Sequence, residues 1–534
     1  MSHQAAGFDL DNRSKWKVLL SVVFGLFMIL LDTTVVNVAF KTLQEEYAVN
    51  LNLTQWVLSI YTLALGIATP LAGYLGDRFG EKRVFLTGLA IFGLSSLMCG
   101  LAPNLLTLII FRAVKGMAGG LSMPLGTSLL FKAFPAAERG KALGVFGIAM
   151  VAAPALGPIL GGWLVDLGHW RWIFYLNVPI ALLGTLLGSA WLPTVRGSAK
   201  TKMDPLGLLF SSVGFGSVLY AASHAAENGW SSPQVLLFFG IGAAALASFA
   251  VVELFVAKEP LLDLRLFGNG PFLFSALTGW VSVLALFGAE FLLPLYLQVL
   301  RGKTALEAGV ILLPLALASG VVAPFSGRLA DRFGARPLAV IGYSLLAVNT
   351  WQFAHLTADT SIGWIQMLLA LRGVALGLTV QITLLVSLSV VSLNQTARAS
   401  SLVNATRQVV QSIGVAVLAT ILASSISAST TSAMNQFQSQ AARFGGEAAA
   451  GQRVVLCGPG GLSATGKFGE MPLPPQALTP LRAFCSEYTQ GFANTYMFTF
   501  YASLVAIALG ATLPGWPGKV VRRQEAPSEV PVGH

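Results

Sequence analysis

The stretch GYLGDRFGEKRVFLTG at residues 73–88 occurs a second time, with substitutions, as GRLADRFGARPLAVIG at residues 327–342. Each copy lies between two long apolar runs. A repeat that keeps its direction predicts two halves related by an axis along the membrane normal. The positions identical in both copies, in the numbering of the first, are Gly73, Leu75, Asp77, Arg78, Phe79, Gly80 and Gly88.

The composition excludes an ordinary soluble protein. Of the 534 residues, 55% are apolar and only 10% are charged, whereas an average soluble protein has about 25% charged residues. The apolar residues form runs of about 20, the length of a helix that crosses a bilayer core. The net charge is +10, but the basic residues lie in short gaps between these runs, so we expect no nucleic-acid partner.

Fourteen apolar runs are long enough to be transmembrane helices, which predicts an all-α integral membrane protein. Glycine and small residues dilute the runs at 205–224 and 234–256, and without this pair the chain would have twelve spans. The predicted spans are 18–40, 54–75, 83–102, 105–128, 142–163, 172–192, 205–224, 234–256, 272–299, 307–326, 337–355, 362–388, 403–426 and 491–515.

The repeat divides these spans into two six-helix bundles with two inserted helices between them. The first run can span the membrane, so we expect it to remain as an anchor and not to be cleaved as a signal peptide. The predicted units are a cytoplasmic N-terminus 1–17, an N-terminal bundle 18–192, a linker with the two inserted helices 193–258, a C-terminal bundle 259–515 and a cytoplasmic tail 516–534.

Lysine and arginine are concentrated in the gaps on one side of the predicted membrane, the side that also carries both termini. Arg398 and Arg407 belong to this set. Positive gaps face the cytoplasm, so we expect both termini to be cytoplasmic and the protein to lie in the cell (inner) membrane.

The gap at 427–490 is the one sizeable extramembrane segment in the predicted topology, and it faces outward. It contains Cys457 and Cys485, which could form a disulfide in an oxidising compartment or could remain free thiols. Cys99 lies inside an apolar run, and the five histidines are scattered. The sequence therefore predicts no metal site.

The repeated unit can act as a conformational latch. Gly73 and Gly80 allow close backbone approach or a turn, and Asp77 can accept from a helix N-terminus or pair with an arginine. The latch residues are predicted to be Gly73, Asp77, Arg78 and Gly80 with Asp331 and Arg332 of the second copy. The alternative is a charged loop that only sets the topology.

Asp32 lies deep in the first span, in LDTTVVNVAF at 31–40. A carboxylate at this depth is costly and marks a functional site unless Thr33, Thr34 or Asn37 holds it structurally. Arg112, in the fourth span, cannot lose its proton and needs an anion nearby, and Asp32 is a plausible partner. Lys115, one turn further on, could share this role, but we favour a side chain that extends to the interface.

A second set of polar and aromatic residues could form a substrate cavity. Glu290 is a second carboxylate within a span, and Arg372 resembles the second-half counterpart of Arg112. Glu253, near the end of its span, is predicted to be interfacial. An aromatic wall beside a carboxylate suits lipophilic cations, although each aromatic could instead face lipid. The predicted cavity contains Asp32, Trp56, Tyr61, Trp280, Phe287, Glu290 and Arg372.

The fifth span, GIAMVAAPALGPILGGWL at 147–164, is crowded with small residues and prolines. Small residues permit close helix packing, and proline kinks a helix. The residues concerned are Gly147, Pro154, Gly157, Pro158, Gly161 and Gly162.

These motifs resemble the 14-span drug–proton antiporters (QacA/EmrB type) of the major facilitator superfamily. The resemblance extends over nearly the whole chain: the first-span string, the repeated loop unit, the fourth-span arginine, the fifth-span motif and WRWIFYLNVPI at 170–180. It implies proton coupling by Arg112 and export from the fifth-span motif of Pro154, Gly157, Pro158, Gly161 and Gly162. Two departures are Phe40, where this family often has proline, and Pro337, which replaces a basic residue and predicts a weaker second latch.

We therefore expect a proton-driven exporter of hydrophobic compounds, lipophilic cations included, with Asp32 and Glu290 exchanging protons. The alternative is a dedicated exporter of one metabolite, lipid or antibiotic. A membrane scaffold or an enzyme is disfavoured by the buried charges and by the absence of a recognisable nucleophile–base pair. We expect no cofactor and no nucleotide, since the sequence has no G-x-x-x-x-G-K-[ST] loop. The expected partners are lipophilic small molecules, protons and the bilayer, and a cell-envelope partner is left open.

Overall fold

The computed structural model describes residues 11–49, 51–194, 204–257, 259–427, 429–430, 432, 453–455, 463–466, 469–471 and 475–515. Within these ranges, side chains are not described for residues 41, 45, 51, 52, 155, 226–228, 286–291, 299, 305, 453–471 and 475–481.

The first half is an array of helices that begin at polar capping residues. Asp11 accepts from the backbone N–H of Ser14, and Asn104 accepts from that of Thr107, which satisfies N–H groups that have no partner within the helix. The helices are α1 (Asn12–Val35), α2 (Phe40–Tyr47), α3 (Leu51–Ala68), α4 (Leu71–Phe79), α5 (Glu81–Gly100), α6 (Leu105–Ala133), α7 (Arg139–Asp166), α8 (Trp172–Tyr175), α9 (Asn177–Trp191), α10 (Pro205–Asn228) and α11 (Pro233–Val251).

The second half repeats this architecture. Thr304 and Glu307 form a reciprocal capping box at the start of α13. The helices are α12 (Gly270–Leu295), α13 (Ala305–Phe333), α14 (Ala335–Phe353), α15 (Ile362–Thr379), α16 (Ile382–Ser389), α17 (Thr396–Ser424) and α18 (Pro475–Gly510). Three short antiparallel strands precede α18 in the order β1 (Arg453–Val455), β2 (Ser463–Gly466) and β3 (Gly469–Met471).

Within the described residues, eleven helices are long and apolar enough to cross a membrane, and twelve if the bent pair α3 and α4 is one span. The bend between α3 and α4 is 53°. The weak predictions at 205–224 and 234–256 are among the eleven, which favours keeping both as spans. The described apolar part of α12, Gly270–Ala285, is shorter than the eleven spans. Helix α14 is also not one of the eleven. The count of fourteen therefore stays a prediction.

The predicted boundaries of the last span and loop need correction. Helix α18 begins at Pro475, inside the segment predicted as the loop 427–490, and three strands lie in the same segment. Cys457 lies outside the described residues, so its pairing with Cys485 stays a prediction.

The two repeats have the same backbone geometry. Gly80 and Gly334 each end a helix at a positive φ, 92° and 87°, and each N–H donates 2.9 Å to the carbonyl four residues earlier. A side chain at this φ would be strained, which explains why both copies have glycine. The predicted internal repeat is therefore also a structural repeat.

Helices α7 and α13 join the two halves through glycine contacts. A Cβ added at Gly144 would overlap the carbonyl of Ala323, and one at Gly327 would overlap the carbonyl of Gly140. At the other end, a Cβ at Gly162 would lie 3.4 Å from the backbone nitrogen of Leu306. Such close approach is possible only with small residues at the contact.

Candidate functional site

A buried charge cluster lies in the first half, centred on Asp32 of α1. The carboxylate is completely buried. Its Oδ2 accepts from the Arg112 guanidinium at 2.6 Å, and its Oδ1 accepts from Lys115 Nζ at 2.5 Å and from Asn177 Nδ2 at 3.1 Å. Helices α1, α6 and α9 therefore meet at one carboxylate.

Both cations that contact Asp32 come from α6, because Arg112 and Lys115, three residues apart, lie on the same face of the helix. Arg112 also donates from Nε to the carbonyl of Val57 at 2.9 Å and lies 4.4 Å from the ring centre of Tyr61. A Cβ at Gly116 would overlap the Tyr61 carbonyl, so this glycine lets α3 approach α6 closely. The predicted pairing of Arg112 with Asp32 is present.

Lys115 does not extend to the interface, and the favoured prediction for this residue was wrong. Its side chain is fully buried, and Nζ donates to Ser96 Oγ at 2.7 Å as well as to Asp32. The ammonium also lies 4.7 Å from the ring centre of Phe92 and 5.5 Å from that of Phe174. Such tight enclosure makes Lys115 a member of the cluster.

The structural alternative for Asp32 named the wrong partners. Thr33 and Thr34 donate to main-chain carbonyls of α1, and Thr34 also donates to that of Pro154. The carboxylate accepts instead from other helices. Among the described residues of this cluster, two cations thus surround one carboxylate, which leaves an excess positive charge.

The second-half arginine has a similar depth but different surroundings. Arg372 of α15 is fully buried and donates to the carbonyl of Ala285 at 2.8 Å and to Thr350 Oγ1 at 3.2 Å. The side chains of Glu290 and Phe287, which sequence reasoning placed near it, lie outside the described residues.

The remaining predicted cavity aromatics are found at separate places. Tyr61 lies under Arg112 and donates to the Ile29 carbonyl at 3.1 Å. Trp56 packs against Tyr220 of α10 at 5.9 Å between ring centres. Trp280 donates from Nε1 to Thr406 Oγ1 of α17 at 3.0 Å. These contacts bring Tyr61 alone to the Asp32 cluster.

The repeated unit bridges the halves in two different ways. Asp77 of α4 accepts from Nε of Arg398 of α17 at 2.7 Å. Asp331 of α13 accepts from the backbone N–H groups of Gly140 and Lys141, at 2.9 and 3.0 Å, in the first turn of α7. A carboxylate there satisfies free N–H groups and the positive end of the helix dipole.

Of the other predicted latch residues, Gly73 supports the contact of Asp77 with Arg398, whereas Arg78 and Arg332 contact residues of their own helices. A Cβ at Gly73 would lie 3.1 Å from the Cα of Arg398, so the glycine lets α17 approach. Arg78 donates to Tyr74 Oη at 2.6 Å, and Arg332 lies 5.2 Å from the ring centre of Phe333. Sequence reasoning missed Arg398 because it counted this residue only toward topology.

The small-residue motif of α7 packs against both α1 and α13. A Cβ at Gly157 would overlap the Thr34 side chain, and one at Gly161 would lie 2.7 Å from the Val35 carbonyl oxygen. The helix continues through Pro154 and Pro158. The motif therefore places α1, which carries Asp32, directly against the helix that contacts the second half.

Glu253 lies three residues from the end of its candidate span, Pro233–Val256, and its side chain is buried within the protein, so its interfacial depth stays a prediction. It is 1% exposed and accepts from the backbone N–H groups of Leu261 and Leu262 at 3.1 and 3.4 Å. Its role is to fix the chain that leaves the inserted helices.

Comparison with known proteins decides the family. The model of the Major Facilitator Superfamily matches residues 22–415. This chain belongs to the major facilitator superfamily. It is 36% identical over 417 residues to the uncharacterized MFS-type transporter YhcA of Bacillus subtilis (strain 168), covering 78% of each chain. It is 33% identical over 404 residues to the multidrug resistance protein B homolog of Mycobacterium tuberculosis (strain ATCC 25618 / H37Rv), covering 75% of each.

Solved structures support the same fold. The human organic anion transporter MFSD10 (TETRAN) superposes with a TM-score of 0.58 at 14% identity, covering 92% of this chain and 99% of that one. The facilitator described here is therefore a multi-pass membrane transport protein.

The site residue that sequence reasoning missed most clearly is Asn177, whose signal was a lone amide in the apolar run WRWIFYLNVPI.

The latch of this facilitator gives a first prediction. Asp331→Asn removes the charge that caps α7, and we expect amide hydrogen exchange in the first turn of α7 to rise about threefold or more, because a helix N-terminus loses its anionic partner. Hydrogen exchange read by mass spectrometry measures this. Asp359→Asn, which removes an exposed acid elsewhere in the second half, is the matched control. Unchanged exchange at α7 in Asp331→Asn would contradict the latch.

Proposed function

We propose that this facilitator is a proton-driven multidrug efflux transporter of the 14-span drug–proton antiporter type. The observation that carries the proposal is the buried cluster of Asp32, Arg112 and Lys115. Buried ionisable groups within membrane spans are costly and mark proton or substrate pathways. A protein with only a structural task gains nothing from such a cluster.

The cluster has one pair of groups that can exchange a proton. A guanidinium stays charged, so Arg112 supplies a fixed positive charge. Asp32 and Lys115 are joined by a 2.5 Å hydrogen bond and form one unit in which either group can hold a proton. We propose that this unit takes up and releases the proton, with Arg112 favouring the released state by its charge. Glu290 remains a candidate for a second proton or for substrate.

The fourteen-span topology follows if α12 and α14 also cross the membrane. Both are helices of the same array, and both occupy positions that the internal repeat assigns to spans. An even number of spans, together with the concentration of basic residues on one side, supports a cytoplasmic location for both termini. The repeat end of the molecule is then cytoplasmic.

Alternating access would open and close the two halves along α7 and α13. The latches of Asp77 and Asp331 hold the repeat end together, and the glycine contacts between α7 and α13 allow the halves to slide or rock. Helix α7 also packs against α1, so the helix that carries Asp32 directly contacts a helix of the interface between the two halves. We propose this path as the coupling between proton and conformation.

The names of relatives support efflux, but they do not agree on a single substrate. One relative is called a multidrug resistance protein B homolog and another a lincomycin resistance protein, LmrB, of Bacillus subtilis (strain 168). A dedicated exporter of one metabolite, lipid or antibiotic is the alternative, and the name of the fatty acid resistance protein FarB of Neisseria gonorrhoeae favours keeping it. Breadth of substrate decides between the two.

Proton release on substrate addition tests the proposal. Purified protein in weakly buffered detergent is mixed with a panel of lipophilic compounds, and the pH is recorded. We expect acidification with several unrelated compounds, because substrate binding displaces the proton from the cluster. Acidification by one compound class alone would favour the dedicated exporter. Binding of compounds without any proton release would contradict proton antiport.

A further inference from the structure

Arg407 lies well inside a membrane span. The sequence analysis counted it among the cytoplasmic basic residues, close to the start of the predicted span 403–426, but α17 runs from Thr396 to Ser424 and places it near the middle of the helix. Its side chain is half-buried. This arginine is therefore a fourth basic residue at depth, with Arg112, Lys115 and Arg372.

Arg407 has no hydrogen bond or ion pair within the part of the chain that the structure describes. Its electrostatic partner is the hydroxyl of Tyr343, which accepts from Ser282 Oγ at 2.6 Å. A guanidinium keeps its charge, and a charge inside a membrane protein needs a counter-charge or water. The neutral Tyr343–Ser282 pair does not supply the counter-charge.

The surroundings of Arg407 on α17 are polar, and the next residue, Gln408, approaches the first half. Asn404 and Gln411, three and four residues from Arg407, share its face of α17, Gln408 is the next residue along the helix, and all three are half-buried. A Cβ at Gly66 of α3, in the first half, would lie 3.7 Å from Gln408 Cγ. The residue before Arg407, Thr406, accepts from Trp280 of α12. A half-buried arginine on a helix that borders the first half is accessible to a ligand as the bundles move.

The Asp32 cluster offers no carboxylate to spare for this arginine. Arg112 and Lys115 already engage both oxygens of Asp32. Among the side chains that the structure describes, no carboxylate pairs with Arg407, so its charge is available to a ligand.

We infer that Arg407 is the recognition site for the acidic group of an amphipathic, anionic substrate. The inference rests on the proposed transport function and names its substrate class. The guanidinium binds a carboxylate or sulfonate through paired, charge-assisted hydrogen bonds. The amide side chains of Asn404, Gln408 and Gln411 supply polar surroundings, and Trp280 supplies an apolar surface for the body of the ligand.

Transport into proteoliposomes of the full chain tests this site with one anion and one cation. Tritiated taurocholate is the amphipathic anion, and ethidium is the lipophilic cation. The variants are Arg407→Gln, which removes the charge, and Arg407→Lys, which keeps it without the paired donors. Arg328→Gln, which removes an exposed arginine from α13, is the matched control. Thermal unfolding of each variant reports whether the fold is kept.

We expect Arg407→Gln to raise the KM for taurocholate by about tenfold or more, because a charge-assisted pair is lost, and to leave the KM for ethidium within about twofold. Arg407→Lys should lie between wild type and Arg407→Gln, and Arg328→Gln should match wild type. An unchanged KM for taurocholate in Arg407→Gln would overturn the site, as would equal losses for both substrates. Wild-type transport of ethidium without taurocholate would overturn the site but keep the proposed function. Transport of neither would count against both.

Discussion

Replacing Asp32 with asparagine is expected to abolish proton-coupled efflux, with a fall of more than about tenfold in the rate driven by a pH gradient. The substitution leaves Arg112 and Lys115 buried beside each other without their shared anion. Removing one partner of a buried ion pair costs about 3–5 kcal/mol of stability. We therefore expect a lower Tm as well, with the protein still inserted because its apolar helices are unchanged. Efflux from proteoliposomes and thermal unfolding measure the two effects.

A double variant separates the loss of stability from the loss of coupling. Asp32→Asn with Lys115→Met removes one cation together with the carboxylate, so the cluster regains its original net charge. We expect part of the lost stability to return while coupling stays absent. Asp359→Asn again serves as the exposed-acid control. Full pH-driven transport by Asp32→Asn would rule out the proposed role of the carboxylate.

Lys115→Arg is expected to abolish proton release on substrate addition while preserving the fold. Arginine keeps the positive charge opposite Asp32 but cannot lose its proton. Efflux by this variant should therefore lose its dependence on the pH gradient, with a fall of more than about tenfold. Proton release from purified protein and efflux at two external pH values measure this.

The matched control is Lys82→Arg, in the first turn of α5. Lys82 donates to the carbonyls of Ser189 and Leu192, at 2.8 and 2.6 Å, and is separate from the cluster. We expect this variant to behave as wild type. If Lys115→Arg also retains wild-type proton release, the proton is exchanged without Lys115, and Asp32 and then Glu290 become the groups to test.

Local patterns predicted the features that depend on neighbouring residues in the chain. The repeated glycine before the third span gave the same helix break in both halves, because a positive φ at Gly80 and Gly334 depends on the residue itself. The lengths of the apolar runs likewise predicted the two inserted helices, because run length is a property of consecutive residues. The start of α18 at Pro475 was not predicted, since a polar helix beside a span carries no apolar signal.

Partners across helices were predictable only in part. A buried arginine needs an anion, and Asp32 was the buried carboxylate of the same half, so the pairing with Arg112 could be named. The role of Lys115 could not, because the sequence does not show whether a lysine within a span extends toward the interface or points into the helix bundle. Arg398 is more than 300 residues from Asp77 in the chain, and no local pattern connects them.

The sequence alone determined that this protein is a twofold-repeated, multi-pass membrane protein with charges buried in its spans. Those properties follow from run length, composition and a local motif, which act over one or two helical turns. The tertiary structure decided which charges meet: Lys115 and Asn177 with Asp32, Arg398 with Asp77, and α7 with Asp331. Coulomb interactions depend on distance in space, and only the packing of helices fixes that distance.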